Sequence, residues 1–281
     1  LYVVNDIGSV APNILLRNVD GTLVVDQNLS GLDLAMSGGG LGVGDVNGDD
    51  RPDFLIPQWD QISLMYSGEG GVWVDHAAAL GMRPAGDQRV GWGAELADLD
   101  NDGDLDGVVA YGSFEVDVPN WENPALQPDA LFVQDEDGNF EDLAPEWGID
   151  DYGPNRGFVV ADFDDDGWLD VVKRDLDGPN VLYVSRCGRD HWLKVRLSDP
   201  GIQNRFVVGA RVMVVAEDGR HWSRWVTAGG TGFGSGGPPE VHFGLGDVDS
   251  IDRIEVRWPD GTESRVAFGA AADQTVTIVR E

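Results

Sequence analysis

Cysteine is almost missing from this chain: Cys187 stands alone among 281 residues, so no intrachain disulfide can form. A chain this long can bury a large core without stapling, and its length suggests one or two domains. Positive charge is scarce as well. Lys and Arg number 19 against 50 Asp and Glu, for a formal net charge of −31. An exterior of that sign repels phosphate backbones and anionic lipid, which excludes nucleic acid and acidic membrane surfaces as partners. No apolar run long enough to span a bilayer occurs, so membrane insertion is not expected, and no signal peptide is visible.

Signs of catalysis are equally thin. His76, His191, His221 and His242 are scattered, with no paired spacing for zinc, and His242 reads as a strand residue at a domain edge. No Gly-x-Ser-x-Gly elbow follows a strand, and Cys187 lacks the local signature of a catalytic thiol. Ser235 sits in the Gly-rich stretch from Gly229 to Gly237, which suits a tight backbone turn better than a nucleophile; no Lys-Ser/Thr pair ends it, so it is no phosphate loop. The reading is therefore of a chain with no catalytic residues.

Helical periodicity is also lacking. With 39 Gly, 14 Pro and apolar runs of four to eight residues, the chain reads as all-β and rich in turns. One nine-residue pattern recurs three times: Asp45 to Asp53, Asp98 to Asp106 and Asp162 to Asp170. Oxygen-bearing side chains stand at places one, three, five and nine (Asp45, Asn47, Asp49 and Asp53; Asp98, Asp100, Asp102 and Asp106; Asp162, Asp164, Asp166 and Asp170), with a turn at place six. Such a set can curl round one hard cation preferring six to eight oxygen ligands, and carboxylates this close repel unless a cation neutralises them. The three loops read as Ca²⁺ sites. Places one, three and five would each give one oxygen, place seven a backbone carbonyl (Arg51, Asp104, Trp168), and place nine up to two oxygens. Asn47 lowers the charge of the first site, which should bind more weakly. An EF-hand is excluded, since it needs a bidentate Glu at place twelve and flanking helices; here place twelve is Ile56, Val109 or Lys173 and the flanks read as strands.

The loops begin at residues 45, 98 and 162, spacings of 53 and 64 residues, which suggests blades of a propeller or a repeat array. Each loop is entered from an apolar run (Leu41 to Gly44, Trp92 to Ala97, Phe158 to Ala161). After the first come strands Phe54 to Gln58, Ile62 to Tyr66 and Val72 to Val74; after the second, Val108 to Tyr111, Ala130 to Val133 and Phe140 to Leu143; after the third, Val171 to Lys173 and Val181 to Ser185. Leu1 to Val4, Asn13 to Arg17 and Thr22 to Val25 fit the same register, so a fourth loop is expected upstream of Leu1 and the chain reads as part of a longer protein. Such four-stranded sheets cannot bury both faces alone and pack radially. An insertion from Ser113 to Gln127 carries Trp121, the best single candidate for contact with a protein or glycan. From His191 on, strands recur without acidic loops, which places a second β domain at 188–281 after blades at 1–187.

The loops and their flanking strands resemble FG-GAP/VCBS repeats, the blade units of integrin α-chain propellers, in the version found in cartilage acidic protein and its bacterial relatives. The residues carrying this are Asn13-Ile14-Leu15-Leu16-Arg17-Asn18 and Asp98 through Asp106. His191-Trp192-Leu193-Lys194-Val195, Asn204-Arg205, Gly209-Ala210-Arg211-Val212, His242-Phe243-Gly244-Leu245-Gly246 and Arg257-Trp258-Pro259-Asp260-Gly261 resemble the ASPIC/UnbV domain. Asp50 departs from the repeat, which usually has Gly there, and Gly48 is expected to shift that turn by two places. The resemblance implies a secreted or surface protein with a calcium-loaded propeller, associated with adhesion or extracellular binding. Two rivals stand beside it: a structural subunit self-associating through an open blade edge, and an enzyme or ligand-binding propeller whose site lies on the propeller face or on blades outside this chain.

Overall fold

The computed structural model describes residues 1–7, 10–26, 31–83, 89–113, 127–186, 188–227 and 236–280. β1 (Tyr2–Val3), β2 (Ile14–Val19) and β3 (Thr22–Val25) form a three-stranded antiparallel sheet. The second sheet runs in chain order through β4 (Gly42–Gly44), β5 (Asp53–Pro57), β6 (Ile62–Ser67) and β7 (Trp73–Asp75). β8 (Gly91–Ala97) and β9 (Asp106–Tyr111) begin the third. The short β10 (Gln127–Pro128) leaves it before β11 (Ala130–Gln134) and β12 (Phe140–Asp142) complete it in the order β8-β9-β11-β12. A one-turn helix, α1 (Ala144–Trp147), leads to β13 (Tyr152–Gly153), the partner of β10. β14 (Asn155–Ala161), β15 (Asp170–Asp175) and β16 (Val181–Tyr183) make the fourth sheet.

β5 and β9 are buried along their whole length because both faces of their sheets are covered. Side chains of a strand alternate between faces. On β5, Phe54 and Ile56 join the core shared with the first sheet, while Leu55 joins the core shared with the third. On β9, Val109 and Tyr111 face the second sheet, and Val108 and Ala110 the fourth. The first two sheets are fastened by a stack of rings, with Tyr2 5.0 Å from Phe54 and Phe54 4.6 Å from Trp73, each pair within 8° of parallel.

The C-terminal strands are β17 (His191–Ser198), β18 (Arg211–Ala216), β19 (His221–Trp225), β20 (Glu240–Gly246), β21 (Ser250–Arg257), β22 (Glu263–Ala271) and β23 (Gln274–Val279). They form two sheets, β20-β17-β23 and β19-β18-β21-β22, around one core that includes Leu193, Val212, Val214, Phe243, Leu245 and Ile254. β17 and β23 run parallel, with Leu193 opposite Gln274. The rest of the pairing is antiparallel, so the molecule is all-β with a single turn of α-helix among the described residues. Most of the expected strands lie within a few residues of the observed ones. α1 and the β10–β13 pair have no counterpart among the expected elements, and a short 3₁₀ segment, Glu69–Gly71, lies between the expected strands Ile62 to Tyr66 and Val72 to Val74.

Candidate metal centres

Each acidic nonapeptide connects the first strand of a sheet to the next: β4 to β5, β8 to β9 and β14 to β15. The three turns share one backbone. Places four and six adopt positive φ in all of them: Gly48 and Asp50 at 70° and 64°, Asn101 and Gly103 at 63° and 106°, Asp165 and Gly167 at 59° and 89°. The expected two-place shift at Gly48 therefore does not occur. Gly48 occupies place four, and Asp50 takes the left-handed conformation at place six that glycine takes in the other two loops.

Internal hydrogen bonds hold the carboxylates inward. At place five, Oδ1 of Asp49, Asp102 and Asp166 accepts from the N–H of Arg51, Asp104 and Trp168 at 3.0, 2.9 and 2.9 Å, which fixes the turn carrying the place-seven carbonyls. At place one, Asp98 Oδ2 accepts from Gly103 N at 3.1 Å, and Asp162 Oδ2 from Gly167 N at 3.0 Å. Asp45 takes the amides of Asp49 and Asp50, both at 2.9 Å. The place-nine carboxylates join the loop to the sheet. One oxygen of Asp53, Asp106 and Asp170 accepts from the place-two amide of Val46, Leu99 or Phe163. The other accepts from Ser67, Gln134 or Ser185, further along the same repeat. A carboxylate has about four lone-pair positions, so these bonds orient place nine without exhausting it.

Two loops bring their carboxylates together as a ligand set. One oxygen from each of Asp98, Asp100 and Asp102 lies within 4.8 Å of the others, and likewise for Asp162, Asp164 and Asp166. The first loop differs. Place three is the amide Asn47, and the Arg51 guanidinium reaches the place-five carboxylate of Asp49 at 2.5 Å, so a resident cation engages that oxygen. The residues of the second loop fit a hard cation best, because Asp98 Oδ1 is fully buried and has no hydrogen-bond partner. Burial, and then the neighbouring carboxylates, raise the acids here: Asp100 is pushed up to about 6, and Asp98 and Asp106 lie well above the ordinary carboxylate range. Burial likewise carries Asp53 up to about 7 and raises Asp45, Asp104 and Asp166. Protons and a divalent cation compete for one set of oxygens. Trp121 lies outside the described residues, as do Cys187 and Ser235.

What the sequence did not disclose is that the C-terminal sheets sit on all three loops. Gly244 N donates to Asp98 Oδ2 at 3.0 Å, and Gly246 N to the Asn101 carbonyl at 2.8 Å. Arg224 Nη2 reaches the Gly103 carbonyl at 3.2 Å and lies 3.7 Å from Asp98 Oδ2. On the third loop Lys194 Nζ is 2.7 Å from Asp162 Oδ2 and 3.3 Å from Asp165 Oδ1. On the first, Ser223 Oγ donates to Asp50 Oδ1 at 2.6 Å and Arg211 to the Asp50 carbonyl at 3.1 Å. A Cβ at Gly103 would come within 2.5 Å of the Trp222 indole, and one at Gly167 within 1.9 Å of Trp192, so only the first loop has room for a side chain at place six.

His242 is not an edge residue. Its Nε2 is 2.7 Å from Asn101 Oδ1, and since Asn101 Nδ2 donates to the Gly167 carbonyl, that oxygen must accept. His242 thus carries its proton on Nε2. Burial, then Lys194 and Arg224, lower its pKa to about 3. Between loops and C-terminal sheets lies a cavity of about 120 Å³ lined by Glu95, Asp98, Lys194, Arg224, Glu240 and His242 among others. Glu95 Oε2, Arg224 Nε and His242 Nδ1 have no hydrogen-bond partner, and burial lifts Glu95 to about 7.

Most of the strands that make these contacts are similar to a known domain type. Residues 201–281 match the ASPIC and UnbV family model. The ASPIC/UnbV match covers Arg224, His242 and Gly244, whereas Lys194 precedes it. Over most of its length the chain is similar to cartilage acidic protein 1: 30% identical to that of Homo sapiens over 266 residues and 29% to that of Xenopus tropicalis over 271, with 89% of this chain covered in both cases. It spans only 37% and 38% of those two relatives. Among solved structures, the GH32 β-fructofuranosidase BmSUC1 of Bombyx mori aligns at 10% identity and a TM-score of 0.35, covering 93% of this chain and 70% of that one, a likeness too low to bear on the fold. Among the described residues no helix is long and apolar enough to cross a membrane.

Proposed function

We propose that this chain is a calcium-binding, extracellular binding or adhesion module: blades of an FG-GAP/VCBS-type β-propeller, followed by an ASPIC/UnbV-like β domain, with no catalytic activity of its own. Asp98, Asp100 and Asp102 would hold one ion, with the Asp104 carbonyl and Asp106. Asp162, Asp164, Asp166, the Trp168 carbonyl and Asp170 would hold a second. Asp45, Asn47, Asp49, the Arg51 carbonyl and Asp53 would form a weaker third. The observation carrying this reading is Asp98 Oδ1, a fully buried acceptor without a donor on one member of a carboxylate triad. Leaving such an oxygen unpaired costs on the order of 1–3 kcal/mol or more for a charged group, and a cation removes that cost. The ion is a fold element here, neutralising clustered charge and setting the turn. Similarity to cartilage acidic protein 1 supports an extracellular setting, where calcium is abundant enough for sites of moderate affinity. The partner would be an extracellular protein or glycan. Calcium titration calorimetry and melting with and without chelator test the reading. Two strong sites and a higher midpoint in calcium are expected; no binding heat and an unmoved midpoint refute it.

A second reading, ligand binding in the junction cavity, is favoured by its three unpartnered polar atoms. Crystals grown in candidate polar ligands would hold density touching Glu95, Arg224 and His242 if that reading is right, and ordered water alone if it is wrong.

A further inference from the structure

We infer that ion binding and the seating of the C-terminal sheets are one linked equilibrium, with the place-one carboxylate as the coupling element. The inference rests on the ion-binding reading above and adds the regulation of those sites. In loops two and three the place-one carboxylate is divided between two tasks. Its Oδ2 serves the place-six amide and a group of the C-terminal sheets, Gly244 N for Asp98 and Lys194 Nζ for Asp162. On Asp98 the other oxygen is left for the ion.

The two loops also bond to each other, through Asn101 Nδ2 and the Gly167 carbonyl at 3.1 Å, and His242 rests on the same Asn101. Loop two therefore presents Asp98 Oδ2, the Asn101 carbonyl and Asn101 Oδ1 as one rigid set of acceptors, spaced for Gly244, Gly246 and His242 of β20. Without a cation, the three carboxylates within 4.8 Å repel and the loop opens, and that spacing is lost. Linkage is reciprocal: whatever the ion contributes to seating, seating contributes to ion affinity. Lys194 and Arg224 place fixed positive charge beside the same oxygens, so the loops keep part of their neutralisation when the ion leaves.

Gly244 is where the coupling can be cut without entering a loop. An added Cβ would lie 2.3 Å from Asp98 Oδ2 and 2.4 Å from Asn101 Cα, while Gly244 itself has no positive φ that an alanine would strain. The experiment uses the full chain and reads amide exchange by NMR beside calcium calorimetry. Chelation is expected to speed exchange at Gly244 and Gly246 at least about tenfold, leaving Val214, inside the C-terminal core, unchanged. G244A is expected to weaken one class of calcium sites by about tenfold, within the usual range of coupling between sites, with Val214 protection reporting that the variant is folded. Calcium binding that leaves Gly244 and Gly246 exchange unmoved overturns the linkage, and so does folded G244A with unchanged affinity at every site. Absence of calcium binding in the unaltered chain is a different failure: it refutes the ion-binding reading itself, and the linkage with it.

Discussion

Asp98→Asn should change sign with calcium. The substitution keeps the shape of the side chain, so its carbonyl oxygen can still accept from Gly103 N and Gly244 N in place of Oδ2. The amide nitrogen then falls where the unpartnered Oδ1 stood, on a carboxylate one of whose oxygens lies within 4.8 Å of oxygens of Asp100 and Asp102. In chelator the variant gains a donor in a nest of acceptors and loses a buried acid whose pKa is forced upward. It should be as stable as the unaltered chain or better, by on the order of 1 kcal/mol. In calcium the variant lacks a ligand. If ambient ion stands about a hundredfold above the dissociation constant, it forfeits ~2.7 kcal/mol of linked stabilisation, a fall of roughly 5 °C in midpoint for a chain of this size. Calorimetric melts of both proteins in both buffers measure the four values. Equal destabilisation in calcium and in chelator would mean that Asp98 is only a hydrogen-bond acceptor and that its bare oxygen holds no ion.

Lys194 and Asp162 form an ion pair buried on both sides, so Lys194→Met should cost about 3–5 kcal/mol by stranding the carboxylate; Lys194→Met combined with Asp162→Asn should recover much of that in urea titrations, and strict additivity would refute it. His242 has a folded pKa below its free value of 6.5, so its contribution is whole above that pH and is lost as pH falls toward 3. At pH 5 the loss reaches ~2 kcal/mol, from 1.5 units at 1.36 kcal/mol each, and His242→Gln should lack that portion of the acid destabilisation when unfolding is compared at pH 7 and pH 5. Phe54 sits between Tyr2 and Trp73, and Phe54→Ala should cost about 3–5 kcal/mol and change Trp73 fluorescence as the first sheet loosens from the second; an unchanged midpoint would mean that the stack carries no load.

The sheets were legible because their signals are local. β5 and β9 are apolar at every interior position and bounded by Asp/Gly turns, so both their place and their burial on two faces could be read from residues 53–57 and 106–111. The loops were legible for the same reason, each being closed within nine residues. Asp50 misled because the preference for glycine at place six mixes two causes. Positive φ is tolerated by Asp, whereas the lack of a Cβ is demanded only where Trp222 or Trp192 lies on the turn, and those residues are more than 100 and about 25 positions away respectively. Lys194, Arg224, His242 and Gly244 stand in ordinary strand contexts, and nothing within their neighbourhoods in the chain announces an acidic loop as partner. α1 spans four residues, too short to show a period.

The parallel pairing of β17 with β23 constrains the order of assembly. In its sheet β17 lies between β20 and β23, so Leu193, Val195 and Leu197 can be fully covered only after Gln274–Val279 has left the ribosome. Pairing across so long a stretch is entropically slow, and during that wait the acidic turns of the first two-thirds of the molecule stand uncapped, open to ions from the surrounding fluid before Lys194 and Gly244 arrive to close over them.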